Sequence, residues 1–556
     1  MQIFKRQALA PKNSRSSSLN QLPSPVRVLV TAWLLFGCLG SIWSFASPLM
    51  SVPDEPAHAI KAAAVARGQF SGSSSGIQGE PLTVNVPGYI AHLGEYSCFA
   101  QKSDVTPDCS QQIDAGDRTW IPAKTSAGNY NPVYYAIVGL GSRGLSGEPA
   151  IYAMRLINTW LVSFFLASIF CAAASLRRFQ RPVIAGAIAL TPSVFFLTGA
   201  INPNALEIAA SGAVFMSLCA ILEQSARKTK ISSLLLVIFA LAGALLAHTR
   251  PLSLLWLAIA ALSAMLCHSA PALFRALRDR RAQAAVLAVG LSCSFALWWV
   301  VSAKSFESLL AGSESIPADV AAVEMVDKTV AFMAQYVGVL GWLDTQPPVA
   351  ATYAWVLGFG AMLLLAYTSR PVRGRWAMVL LTLTVLVIPV VLQASSSEQL
   401  GWIWQGRYAL AMVVTMILAA GVTVRFRPYK VTPWGSSLLR WSIVLAILAH
   451  TYVFLEGMRR YTLGIQDHVN WTEMLEPLWQ PPGTWQGLTA MYLLVLAVSG
   501  LCLHRWLTIR PSAPRPAAAD RQPRQDGYSE PAADLPASSK VFRQDSIDTR
   551  SGRAER

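Results

Sequence analysis

Charge is what this chain has least of: only 13% of its 556 residues are Asp, Glu, Lys or Arg, against 53% that are hydrophobic. A soluble protein of this length carries about 25% charge, so a water-facing multidomain architecture is excluded. Also lacking are a glycine-rich nucleotide-binding fingerprint and an internal repeat of the kind many transporters show. Acids are scarcer than bases, 30 against 45, which leaves a formal net charge of +15. In a soluble protein that excess would suggest nucleic acid, so its placement along the chain decides its meaning.

What is present is apolar sequence in lengths that suit a bilayer. Twelve stretches, over about 28–46, 151–175, 183–199, 205–222, 231–247, 251–268, 284–302, 350–369, 376–393, 408–424, 437–456 and 487–506, approach the length needed to cross roughly 30 Å of hydrocarbon as helices. The expected fold class is therefore an all-α membrane protein of about twelve transmembrane helices. Basic residues precede the first stretch as they precede a signal peptide. It carries Trp33 and Trp43, however, and no small-x-small site follows it cleanly, so it reads as an uncleaved helix.

The bases cluster in alternate short loops: Arg177, Arg178 and Arg181; Arg227, Lys228 and Lys230; Arg275, Arg278, Arg280 and Arg281; Arg370, Arg373 and Arg375; Arg425, Arg427 and Lys430. This is a positive-inside signature, and with an even number of spans it places both termini in the cytoplasm. The charge thus reports topology and calls for membrane lipids, not nucleic acid, as surroundings. Residues 1–27 form a basic, Ser-rich arm and residues 508–556 a Pro-, Ala- and Arg-rich tail, both expected to be disordered and to flank a polytopic domain over 28–507. Long loops near 47–150, 303–349 and 457–486 all fall on the outer face, where long loops tend to carry function. Within the second, about 318–340 is amphipathic and suits the interface. Most cysteines lie in helices as small packing residues, but Cys98 and Cys109 share the first outer loop, where a disulfide can persist.

Nearly all the unusual polar residues at helix ends map to that same outer face. Val52-Pro53-Asp54-Glu55-Pro56-Ala57-His58 sets two adjacent carboxylates and a histidine at a helix start, with Asp54 in the N-cap position and Pro56 in the first turn. Solvated capping acids are one reading. The other is a catalytic pair, Asp54 and Glu55, or a divalent-cation site (Mg or Mn) that adds His58. Tyr130, Asn131 and Tyr134 form an aromatic cluster that reads as an interfacial anchor or a binding surface. Arg155 and Asn158 lie one turn apart near an outer helix end, and Asn202 opens a polar turn. His248 and Arg250 occupy a tight outer turn in which an arginine breaks the charge trend, as phosphate binding would require. Trp404, Arg407 and Tyr408 add aromatics and a second outer arginine.

Three segments, Pro53-Asp54-Glu55-Pro56-Ala57-His58, Gly341-Trp342-Leu343-Asp344 and Gly406-Arg407-Tyr408, resemble the signatures of the domain-of-unknown-function 2142 (DUF2142) family of bacterial membrane proteins, over roughly residues 28–460. That family is similar in turn to C-type (GT-C) glycosyltransferases, which carry an acidic motif in the first outer loop. The resemblance implies a GT-C-like fold in the bacterial inner membrane and transfer of a sugar from a polyprenyl-phosphate donor to an envelope glycan or glycolipid, at an extracytoplasmic site that includes Asp344. The expected roles are Asp54 or Glu55 as general base or metal ligand, and Arg250 and Arg407 on the departing phosphate. A transporter or flippase for a lipid-linked glycan, and a non-catalytic assembly scaffold, are the rival expectations.

Overall fold

In the computed structural model of the chain, residues 24–77, 80–305, 315–369, 373–424, 433–466 and 471–508 are described. The terminal arm up to residue 23 and the tail from residue 509 lie outside the described residues, as do Arg370, Arg425, Arg427 and Lys430. All twelve apolar stretches fall on helix, since backbone in hydrocarbon must satisfy its own polar groups.

In chain order, α1 (Pro25–Ala46) leads into an outer segment containing α2 (Glu55–Ala66), strand β1 (Leu82–Pro87), α3 (Gly88–Ala91), β2 (Trp120–Thr125) and α4 (Pro132–Val138). Then come α5 (Glu148–Ala174), α6 (Gln180–Ala189), α7 (Pro192–Thr198), α8 (Pro203–Ala226), α9 (Ser233–Ala247), α10 (Ser253–Leu266) and α11 (Ala270–Ala276). The second half comprises α12 (Arg280–Ser302), α13 (Ala318–Val337), α14 (Val349–Thr368), α15 (Arg373–Leu400), α16 (Leu410–Thr423), α17 (Pro433–Leu463) and α18 (Trp485–Thr508).

Among the described residues, eight helices are long and apolar enough to cross a membrane alone: α1, α5, α8, α12, α14, α15, α17 and α18. The α6–α7 and α10–α11 pairs bend by 68° and 115°, and counting each pair as one span raises the total to at most ten. Pro192 and Pro271 explain the breaks, because neither can donate the N–H that a continuous helix needs there. The remaining two stretches form α9 and α16, apolar but only 15 and 14 residues long. The twelve expected crossings therefore resolve into eight long helices, two bent pairs and two short helices.

Chain connectivity gathers the end of α1 and the starts of α5, α8, α10 and α16 at one end of the bundle, and the Arg- and Lys-rich turns at the other. In the outer segment, β1 and β2 pair antiparallel with Leu82 opposite Thr125 and Pro87 opposite Trp120. Cys98 and Cys109 are disulfide-bonded in the same segment. The amphipathic segment is α13, which packs along α15 and buries Ala321, Met325 and Phe332.

One buried ion pair fastens the outer segment to the bundle. Glu55, at the start of α2, accepts from Arg155 of α5 at both carboxylate oxygens, each at 2.7 Å, and both side chains are fully buried. The other Arg155 N–H groups donate to the carbonyls of Ser44, Ser47 and Pro48, the chain leaving α1. Close packing beside it depends on glycine: a Cβ on Gly139 would stand 2.1 Å from the Ala62 carbonyl oxygen of α2.

Removing one partner of such a pair strands a buried charge and costs about 3–5 kcal/mol. Arg155→Met is expected to lower the melting temperature and the monodisperse yield sharply. The double variant Arg155→Met with Glu55→Gln, which removes both charges, should recover part of that loss; thermal melting of the purified proteins checks both outcomes.

Candidate functional site

Asp54 is the N-terminal cap residue of α2, in left-handed backbone geometry (φ 67°) that Asp tolerates better than most residues. Its side chain does not cap the helix, contrary to the simplest expectation for that position. It turns away to pair with Arg407 of the turn Gly406–Tyr408, with Oδ2 accepting from Nη2 at 2.5 Å. Arg407 also donates to the Pro53 carbonyl at 3.0 Å, and so does Asn202, at 3.2 Å, from the N-cap of α8. Arg407 is buried, whereas the Asp54 side chain is 42% exposed. The arrangement sets an accessible carboxylate on a buried cation.

A second cation stands beside it. Arg250, in the turn between α9 and α10, lies 4.4 Å above the Tyr408 ring, and Arg407 approaches the same ring at 5.3 Å. Trp404 closes the group, edge-on to Tyr408 at 5.7 Å. Arg250 is held from below by Glu207 of α8, 4.0 Å away, whose carboxylate also accepts from Ser253 at 2.5 Å and from Asn204 at 3.3 Å. Glu207 was not anticipated from sequence; the signal available was a lone carboxylate in an otherwise apolar span, which is costly unless partnered.

His58, one turn along α2 from Asp54, is buried, and its Nδ1 is 2.9 Å from the Tyr135 hydroxyl. Burial pulls its pKa down to about 3, against the opposing influence of Asp54 and with help from Arg250 and Arg407. Partial burial alone would raise the Asp54 carboxyl, but Arg407, with Arg250 behind it, outweighs this and holds it below the ordinary carboxylate value. Asp54 is therefore ionised and His58 neutral at physiological pH. Tyr130 is buried against the same group, its hydroxyl pKa raised first by burial.

Several buried polar atoms in these segments have no hydrogen-bond partner among the described residues: Arg407 Nε, Gln405 Oε1, Trp404 Nε1, Asn131 Nδ2 and His248 Nδ1. Buried polar atoms are nearly always paired, and other unpartnered ones lie outside these segments, Arg459 Nε, Arg460 Nε and the Tyr461 hydroxyl among them.

Other expected site residues serve different ends. Glu55 and Arg155 are sealed in their ion pair, with all five Arg155 N–H groups used within the protein, so neither is free to act on a ligand. Tyr134 donates to Asn158 at 2.9 Å, and Asn158 ties down the carbonyls of Thr198 and Ala200. Asp344 belongs to a separate cluster with Arg460, which donates to the carbonyls of Phe99, Lys102 and Val105 in the disulfide-bonded loop. His248 packs edge-on against Phe295. The metal expectation also changes. Asp54, Glu55 and His58 do not converge, and no group of three His, Cys, Asp or Glu suited to a metal ion occurs among the described residues. The reason is electrostatic: Arg155 has taken Glu55, and Arg407 has paired with Asp54.

The neutral, buried His58 makes stability depend on pH. Because its folded pKa lies below the ordinary 6.5, its contribution is complete above that value and is lost as pH falls toward about 3. Melting temperature is expected to fall between pH 6.5 and 4.5, and to fall less in His58→Gln; thermal melts across that range check it.

Comparison with known proteins adds to this geometry. No curated protein matches the chain. A crystal structure of ArnT from Cupriavidus metallidurans bound to undecaprenyl phosphate is similar at 11% identity and a TM-score of 0.41, over 87% of this chain and 76% of that one. The model of the predicted membrane protein family DUF2142 matches residues 36–416, well over half of the sequence, and the chain belongs to that family.

Proposed function

We propose that the protein is a membrane glycosyltransferase that moves a sugar from a polyprenyl-phosphate donor to a hydroxyl of an envelope glycan or glycolipid, with inversion at the anomeric carbon. The observation that carries this reading is the accessible Asp54 carboxylate paired with Arg407, with Arg250 near enough to act on its charge, at the end of the bundle away from the basic loops. In this reading the basic loops face the cytoplasm of a bacterial inner membrane with both termini, and the Asp54 end faces out.

The chemistry asked of the site is modest. The acceptor oxygen attacks the anomeric carbon, its proton passes to Asp54, and the bond from that carbon to the phosphate oxygen breaks. Polyprenyl phosphate departs as a weak base, so a general acid is unnecessary; positive charge must meet it, and Arg250 and Arg407 supply it. The Asp54–Arg407 pair couples the two tasks. Before the donor arrives, Arg407 weakens Asp54 as a base. Once a phosphate shares Arg407, the carboxylate loses part of that stabilisation and its basicity rises toward what proton abstraction needs. Trp404 and Tyr408 provide aromatic faces, and the unpaired Asn131 Nδ2 and Gln405 Oε1 suit hydroxyl groups of a sugar. Glu207 is a positioning residue, holding Arg250 in register, while Glu55 and Arg155 form the frame.

Membranes containing the wild type should transfer label from at least one member of a panel of polyprenyl-phosphate sugars. Asp54→Asn, folded and expressed as wild type, should reduce the rate by about 10²–10⁴-fold. Arg407→Gln and Arg250→Gln should each weaken transfer and raise the donor concentration required. Equal transfer by wild type and Asp54→Asn would remove Asp54 from the chemistry, and absence of transfer from every donor would favour transport or scaffolding.

A further inference from the structure

A cavity of about 1110 Å³ lies among α1, α6, α14, α17 and α18. That exceeds the roughly 300–1,000 Å³ of ordinary small-molecule sites. Its wall is aliphatic and aromatic, with Phe36, Ile188, Phe195, Trp355, Ile447 and Leu503 among its lining residues. Among the described residues, charge enters in two places only, Arg27 and Arg505, and no carboxylate lines it.

These two arginines stand at the same end. Helices α1 and α18 run antiparallel, joined near the Asp54 end by Trp43 Nε1 donating to the Tyr492 hydroxyl at 3.3 Å. Arg27 and Arg505 each lie roughly four turns from that contact, in the first turn of α1 and the last turn of α18. That is the end bearing the basic loops. Arg505 suits its helix terminus, but Arg27 does not: a cation in the first turn meets the positive end of the helix dipole, and α1 has no acid there to offset it. Both arginines are exposed, and an anion at this point would answer the dipole and the positive charge of the two side chains that line the same end of the cavity.

We propose that this cavity is a binding site for an anionic glycerophospholipid, with acyl chains along the apolar wall and its phosphate between Arg27 and Arg505. Helix α7 separates it from the site above: Phe195 lines the large cavity, whereas Phe196 and Leu197 line a small one beside Arg407. A headgroup at the arginines is thus held away from Asp54 by the length of the groove, which makes this lipid a resident component and not a substrate. The inference stands apart from the glycosyltransferase reading and survives if that reading fails.

The test uses the full chain purified in mild detergent, with retained lipid identified by native mass spectrometry. Delipidated protein is then melted in nanodiscs of phosphatidylcholine with or without phosphatidylglycerol. Wild type is expected to retain phosphatidylglycerol and to melt higher in its presence. The double variant R27Q/R505Q should lose that preference by about tenfold or more while remaining folded. Gly358→Leu is a second variant that leaves both arginines intact. A Cβ at this position meets only Ile188, at 3.5 Å, so the larger side chain narrows the groove and should reduce retention of either lipid. Equal retention of the two lipids by wild type, or an unchanged preference in the double variant, would overturn the proposal. Displacement of phosphatidylglycerol by a lower concentration of polyprenyl phosphate would overturn the choice of lipid class.

Discussion

The Asp54 end of this protein depends on the buried pair between Glu55 and Arg155. Burying two charges is expensive, and the cost is offset here because every donor on Arg155 and both oxygens on Glu55 are engaged. The pair binds the exit of α1, the entry of α2, the flank of α5 and the Ile201 N–H preceding α8 into one rigid junction. With Glu55 fixed, the residue before it has little freedom. Asp54 is presented in a left-handed turn whose side chain leaves the junction and reaches Arg407, far along the sequence.

From that constraint the electrostatics of the site follow. Two adjacent carboxylates have opposite fates because one faces a saturated arginine inside the protein and the other a partly satisfied arginine at an accessible surface. Arg407 retains an unpaired Nε, and Arg250 is held by a hydrogen bond with Tyr130, stacking on Tyr408 and a long contact to Glu207. Both keep capacity for an anion. In the proposed reaction, an ionised, half-exposed carboxylate beside cations that an incoming phosphate can share is a base activated only when donor is bound. At the opposite end, Arg27 and Arg505 line an apolar cavity with no carboxylate among the described residues, and there the proposed role is retention and not reaction.

The helical membrane character was legible because hydrophobic runs of bilayer length have few alternative explanations, and the alternation of basic loops gave their order. Which stretches form one continuous long helix was not legible. Pro192 and Pro271 break segments whose composition alone resembles a span, and α9 and α16 stop short of full length. Asp54, Arg250 and Arg407 stood out because charges at the outer ends of apolar helices are conspicuous. Their convergence, and the engagement of Glu55 by a residue 100 positions away, are tertiary facts with no local signature. Glu207 was overlooked for the opposite reason: it sits within an apolar helix, where attention falls on the hydrophobic pattern. Asp344 was grouped with Asp54 by motif, yet Arg460 and the loop closed by Cys98 and Cys109 claim it.

The central claim is that Asp54 and Arg407 form a pair that a donor phosphate opens. An experimental structure of the full chain with a non-hydrolysable polyprenyl-phosphate sugar bound tests it most directly. The account predicts the phosphate between Arg250 and Arg407, with the Asp54 carboxylate moved off Arg407 and facing the anomeric carbon. A donor bound elsewhere, with the Asp54–Arg407 pair still closed, would contradict it.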